Sequence, residues 1–270
     1  MNTTWIVAVF LMTDDLMEAL GHHSHVLAQV PDSEIITVAL VAAKYFQNHH
    51  ERAFGIMQEL GYLSGALSVS RFNRRLHALA DWLAFITVTL GEAFVQGEVF
   101  VIDSMPIPVC RRARAWRCRK VRGRVFCGYC AAKKEKFFGW RLHLICNARG
   151  QPVSFQLVPG GCHDLTAVHE LAFVLPPGAR LLGDKAFNSA ADEASLLADT
   201  NVRLVPIRKT NMPPNDWADD YDLKTHSHTV EMLNSQLESM GLERLHARTH
   251  RGLELKVHAS LIAVACTNIN

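Results

Sequence analysis

Residues 1 to 95 carry apolar positions at helical spacing, interrupted at Gly21, Pro31 and Gly61. They predict helices over Trp5–Leu20, Asp32–Asn48, His50–Leu60 and Ser70–Leu90, with Asp32 and Ser70 as N-caps and Glu34 in a first turn. After Ser70, the residues Phe72, Leu76, Leu79 and Leu83 form one stripe, and Arg71, Arg74 and Arg75 lie mainly off it. From Glu98 the pattern changes to short runs rich in Val, Ile and Phe. Val99–Asp103, Arg141–Cys146, Val153–Val158, Arg180–Asp184 and Arg203–Ile207 read as strands, with helices near Asp164–Val174 and Ser189–Asp199. The turn residues Asn147 to Pro152 join the second and third strands as a hairpin, and Pro213-Pro214-Asn215-Asp216 marks an irregular connection. A last helix near Thr225–Met240 puts Val230, Leu233, Leu237 and Met240 on its apolar side and Glu231 beside it. Three strands, then strand–helix–strand and a helix, make a mixed α/β layout. The expected organisation is a helical N-terminal domain over 1–95 and a second domain over 96–270.

Composition sharpens this picture in two places. The apolar fraction is 49%, ample for a core. Net charge is only +2, so charge as a whole does not announce nucleic acid, but its distribution does. Residues 111–141 hold twelve Arg and Lys, among them Arg111, Arg112, Arg114, Arg117, Lys133 and Lys134, against the single acid Glu135. A cluster of that density suits a polyanion; the alternative is a solvated loop. The apolar run Trp5–Met12 is too short to span a bilayer and meets Asp14 and Asp15 at once, so it reads as a core helix rather than a signal or an anchor. Seven cysteines, an odd number, fit a reducing cytoplasm better than a disulfide framework.

Three acids stand where metal-dependent phosphoryl transfer needs them. Asp103 and Asp184 each end an apolar run, and Glu231 lies on the last helix. Ionised carboxylates are costly to bury unless paired or bound to a cation. Two metals bound by such a set stabilise the attacking and leaving oxygens of an in-line displacement. Strand-ending Asp residues also commonly cap the next turn, and that reading stays open for both.

The surrounding residues carry a resemblance. Val101-Ile102-Asp103-Ser104-Met105-Pro106-Ile107-Pro108-Val109-Cys110, Phe138-Gly139-Trp140-Arg141-Leu142-His143-Leu144-Ile145, Leu182-Gly183-Asp184-Lys185-Ala186-Phe187 and Glu231-Met232-Leu233-Asn234-Ser235-Gln236-Leu237 resemble, in order, the DDE transposases of bacterial insertion sequences, most closely the IS982 family. Pro31–Thr37 and Ser70–Arg74 look similar too, so the resemblance runs from about residue 10 to residue 265. It implies an RNase H-like (retroviral-integrase-like) mixed sheet flanked by helices, behind an all-α N-terminal domain that binds DNA. It also implies Asp103, Asp184 and Glu231 as the catalytic and metal-ligating triad, with Mg²⁺ or Mn²⁺ as cofactor. The partners implied are DNA, both the terminal inverted repeats and the target, and a second copy of the chain, in the bacterial cytoplasm at the nucleoid and away from membranes. Arg71, Arg74, Arg75, Arg111, Arg112, Arg114, Arg117, Lys133, Lys134, Lys185, Arg248 and Arg251 are then the candidate DNA contacts.

The chain departs from the related pattern around Glu231. Tyr and Arg before the catalytic Glu and Lys seven residues after it are replaced by Lys224, Ser227 and Glu238; Lys224, His226, His228 and Arg248 are candidates to compensate. Asp164, after Pro159-Gly160-Gly161, reads as a helix cap. Cys110, Cys118, Cys127 and Cys130 lie in the basic segment. The Cys127-Gly128-Tyr129-Cys130 spacing would admit a structural Zn²⁺, but the rest is irregular and favours free thiols. Two other functions remain to be separated from transposition. One is a metal-dependent nuclease on the same core; the other is a remnant that binds DNA without cutting it and acts as a repressor.

Overall fold

The structure, a computed structural model, describes residues 1–131 and 133–268. The chain folds as two compact units, Met1–Thr87 with Leu237–Asn270, and Val88–Gln236.

In the first unit, α1 (Thr3–Ala19), α2 (Asp32–Phe46), α3 (His50–Glu59) and α4 (Val69–Ala78) are joined by α9 (His250–Ala265). Residues Ile35 to Ala43 of α2 are all buried, because α1, α3, α4 and α9 pack around it. A helix that is apolar on every side needs cover on every side. Grouping 96–270 as one domain leaves α9 with the sheet; in the structure it covers α2 instead. The helix expected over Ser70–Leu90 is two, α4 and α5 (Ala80–Ala93), broken at Leu79. Its cap is Ser68, whose Oγ accepts the Arg71 N–H, rather than Ser70. Asp32 likewise does not cap α2: it accepts from Arg75 and lies 3.0 Å from the His22 ring.

The second unit is built on one mixed sheet: β1 (Val99–Cys110), β2 (Cys127–Cys130), β3 (Glu135–Asn147), β4 (Pro152–Pro159), β5 (Arg180–Gly183) and β6 (Arg203–Pro206). The order is β2-β3-β1-β5-β6, and β4 also pairs with β3. Strand β3 runs antiparallel to β1, whereas β5 and β6 run parallel to it. With α6 (Val168–Ala172), α7 (Ala190–Thr200) and α8 (Trp217–Ser239), this open mixed sheet fits the RNase H-like expectation. The hairpin at Asn147 forms as expected; the Asn147 carboxamide accepts the N–H groups of Arg149 and Gln151.

Two strands outrun their sequence signals. The run Val99–Asp103 continues to Cys110, because β1 goes on pairing with β3 as far as Cys110 opposite Phe138. Strand β3 starts at Glu135, inside the basic segment, where it meets β2. Gly139 permits this: a Cβ there would stand 2.3 Å from the Ile107 carbonyl oxygen.

Candidate active site

Asp103 is not at the end of a strand; it sits within the twelve residues of β1. It does mark the end of a pairing. β5 follows β1 through Val99↔Arg180, Phe100↔Leu181 and Val101↔Leu182, and then stops. Asp184 comes next after Gly183, the last residue of β5, so it stands just beyond the end of the strand that runs parallel to β1. Both face a cavity of about 450 Å³ that Asp164, Arg141, His226 and Glu231 also line.

The Asp103 oxygens are both engaged. Oδ1 accepts the Ser104 N–H at 2.7 Å, and Oδ2 accepts from Asn234 Nδ2 of α8 at 2.7 Å. Burial pushes the carboxyl up to about 7; the charges of Asp184, Asp164 and Glu231 add to the rise and the Ser104 bond opposes it. Burial also raises Asp184, with Asp164 adding and the Ala186 N–H opposing. That N–H donates to Asp184 Oδ1 at 2.8 Å, so Asp184 caps the short turn Lys185–Phe187 while also facing the cavity. Glu231, on α8, is exposed and lies 3.3 Å from the His228 ring. Among the described residues, no three His, Cys, Asp or Glu side chains are drawn close enough to hold a metal ion.

The donor set nonetheless fits a hard divalent cation. All candidate donors are carboxylate oxygens, and their charges press on Asp103 in a site where burial already disfavours ionisation. A bound cation would remove that penalty.

Three residues of this site escaped the sequence analysis. Asp164 does not cap its turn; the His163 ring does, accepting the Leu165 N–H. Asp164 instead accepts from Ser104 Oγ at 2.9 Å and Arg141 Nη1 at 3.2 Å. Arg141, counted only as one charge of the basic segment, reaches into the cavity and also donates to the Tyr129 carbonyl. Asn234 stands three residues after Glu231 on the same helix, and that spacing was its only sequence signal. His143, opposite Ser104 in the β1–β3 ladder, is fully buried, and burial pushes it down to about 4.

The other candidates fall in several places. Arg111, Arg112, Arg114, Arg117, Lys133, Lys134 and Lys185 are all exposed in the unit that holds the sheet. Arg117 lies over the ring of Trp116, itself 76% exposed. Arg71, Arg74, Arg75, Arg248 and Arg251 belong to the helical unit, where Arg75 is committed to Asp32. The four cysteines of the basic segment do not form one site. Cys110 and Cys118 share a thiol hydrogen bond that helps raise Cys110, after burial and the Cys118 charge. Cys127 and Cys130 lie on the extended strand β2, where residues three apart are about 10 Å apart on opposite faces, unlike the turn a C-x₂-C zinc site needs.

A family model described as a transposase DDE domain matches residues 94–252. No curated protein and no solved structure matches the chain. No helix among the described residues is long and apolar enough to cross a membrane.

Proposed function

Because the chain belongs to the transposase DDE domain family, we propose that it cleaves DNA at the ends of an insertion sequence of the IS982 type and joins the freed 3′-hydroxyls to target DNA. The observation that supports this most is that Asp103 of β1, Asp184 just past β5 and Glu231 of α8 line one cavity.

Asp103, Asp184 and Glu231 are the residues that would hold Mg²⁺, with Mn²⁺ as a substitute. When bound, the metal lowers the pKa of the attacking hydroxyl and neutralises the leaving oxygen. The protein's own groups orient the reaction. Asn234 and the Ser104 N–H fix the two oxygens of Asp103. Arg141, held by Asp164, keeps a guanidinium in the cavity to meet a phosphate oxygen. Neutral His143 packs behind that pair without adding charge. The exposed arginines from Arg111 to Arg117, with Lys133, Lys134 and Lys185, bind backbone phosphates and so carry affinity without sequence preference. Bringing two element ends together calls for two copies of the chain, working in the bacterial cytoplasm at the nucleoid.

The test uses a plasmid carrying paired element ends. Asp184→Asn and Glu231→Gln should each abolish cleavage while DNA binding persists; near-wild-type cleavage by either removes that residue from the site. Joined product with the wild-type protein separates a transposase from a nuclease, and binding without any cleavage would leave only a repressor.

A further inference from the structure

The cavity that Asp103, Asp184 and Glu231 line holds a fourth carboxylate, Asp164. Its two oxygens are used unequally. Oδ1 accepts from Ser104 Oγ at 2.9 Å and from Arg141 Nη1 at 3.2 Å, and the ring of buried His143 lies 3.8 Å from it. Oδ2 accepts no hydrogen bond among the described residues. Asp184 shows the same division: Oδ1 takes the Ala186 N–H, and Oδ2 takes nothing among the described residues. One cavity thus contains two acids that each keep a whole oxygen idle, and an idle carboxylate oxygen is a ready ligand for a hard cation.

Local structure holds Asp164 beside the other acids. The turn Asp164–Ala167 that it opens packs against the turn Lys185–Phe187, which directly follows Asp184. The His163 ring accepts the Leu165 N–H and so relieves Asp164 of capping its own turn. Ser104 ties Asp164 to Asp103: its N–H donates to Asp103 Oδ1 and its hydroxyl to Asp164 Oδ1. Arg141 is fixed at both ends of its guanidinium, by Asp164 and by the Tyr129 carbonyl. The side chain of Glu231, by contrast, is 68% exposed, against 20% for Asp164. A pair of divalent cations takes about six oxygens each, which leaves room for a carboxylate beyond three.

We propose that Asp164 is a fourth carboxylate ligand of the metal site, giving Oδ2 to the divalent cation that Asp184 holds while Oδ1 keeps Arg141. It rests on the reading of Asp103, Asp184 and Glu231 as metal ligands and goes beyond those three acids. One side chain then sets both positive charges that face a substrate phosphate, the cation and the guanidinium.

The experiment measures Mn²⁺ binding by the full chain, without DNA, by titration calorimetry. In Asp164→Asn the acceptor for Ser104 and Arg141 stays, but an amide NH₂ replaces Oδ2, and a cation cannot use it. Mn²⁺ affinity should fall at least about tenfold. The same substitution is then made in an Arg141→Gln chain, where it should again cost about tenfold. That double variant loses both charges together, so it also serves if Asp164→Asn alone fails to fold. The loss should persist in about 1 M KCl, where charges acting through solvent are screened within ~3 Å. An effect that disappears in the Arg141→Gln background makes Asp164 no more than an anchor for Arg141 and overturns the proposal, and so does an effect that salt abolishes. A wild-type chain that binds no Mn²⁺, or an Asp184→Asn chain that binds it equally well, would instead defeat the metal site beneath the proposal.

Discussion

Replacing Asp103 by Asn should make the protein more stable at neutral and alkaline pH while abolishing its activity. The carboxyl titrates near its ordinary 3.8 when unfolded and at about 7 in the fold, chiefly because it is buried. Between those values the folded chain keeps a proton that the unfolded chain releases, so stability falls as pH rises through that window. The contribution is complete below about 4 and gone above about 7. About three pH units at ~1.4 kcal/mol each give an upper limit near 4 kcal/mol. Asn keeps the shape: its Oδ1 still accepts the Ser104 N–H, its Nδ2 donates to the Asn234 side-chain oxygen once that amide turns over, and it has no charge to desolvate. At about 2–4 °C per kcal/mol, the variant should melt roughly 5–15 °C above wild type at pH 8. The assay is thermal melting from pH 5 to pH 8.5 in a chelating buffer, where the gap between the two proteins should widen through pH 7 and then level off. Adding Mg²⁺ at pH 8 should raise the wild-type melting point and leave the variant's nearly unchanged. A gap that is flat with pH, or a variant less stable than wild type at pH 8, would refute the reasoning.

Asn234→Leu removes the donor on Asp103 Oδ2, which favours the charged carboxylate, so Asp103 should rise further. A hydrogen bond to a charged group contributes about 1.5–3 kcal/mol, so cleavage should drop roughly 10- to 100-fold, and the pH at which it switches on should move upward; an unmoved pH profile would remove Asn234 from this role. Gly139→Ala should cost about 1–3 kcal/mol, since the new methyl would meet the Ile107 carbonyl oxygen at 2.3 Å in a paired strand. Gly55→Ala, in α3 with nothing within 4 Å of the added atom, should instead stabilise by about 0.5–1 kcal/mol. Denaturant melts of this pair check both signs.

The sequence was most legible where one period dominated. The Leu181-Leu182-Gly183 run before Asp184, the hairpin at Asn147 and the break at Gly21 could all be read locally, because each rests on neighbouring residues. Helix α9 left no such trace. Leu253, Leu255, Val257, Ala259 and Leu261 alternate with polar residues and imitate a strand, because the helix is buried on nearly every side. Strand β2 is four residues inside a run of charge, and only β3 makes it a strand. Asp164 and Arg141 lie 23 residues apart, so their ion pair depends on how the sheet returns the chain. Asp103, Asp184 and Glu231 could be marked as candidates in the sequence; Asp164 and Arg141, which line the same cavity, could not.

The return of the chain to the helical unit at Leu237 has a consequence for biosynthesis. Helix α2 leaves the ribosome more than two hundred residues ahead of α9, and its cover is incomplete until α9 follows. The segment Val88–Gln236 emerges between them and can settle first, while the helical unit stays partly unclosed. At about 5–20 residues per second, α2 keeps apolar surface open for tens of seconds. A chain stopped before His250 would leave that surface open for good, so an unfinished copy of this protein is one for the proteases to clear.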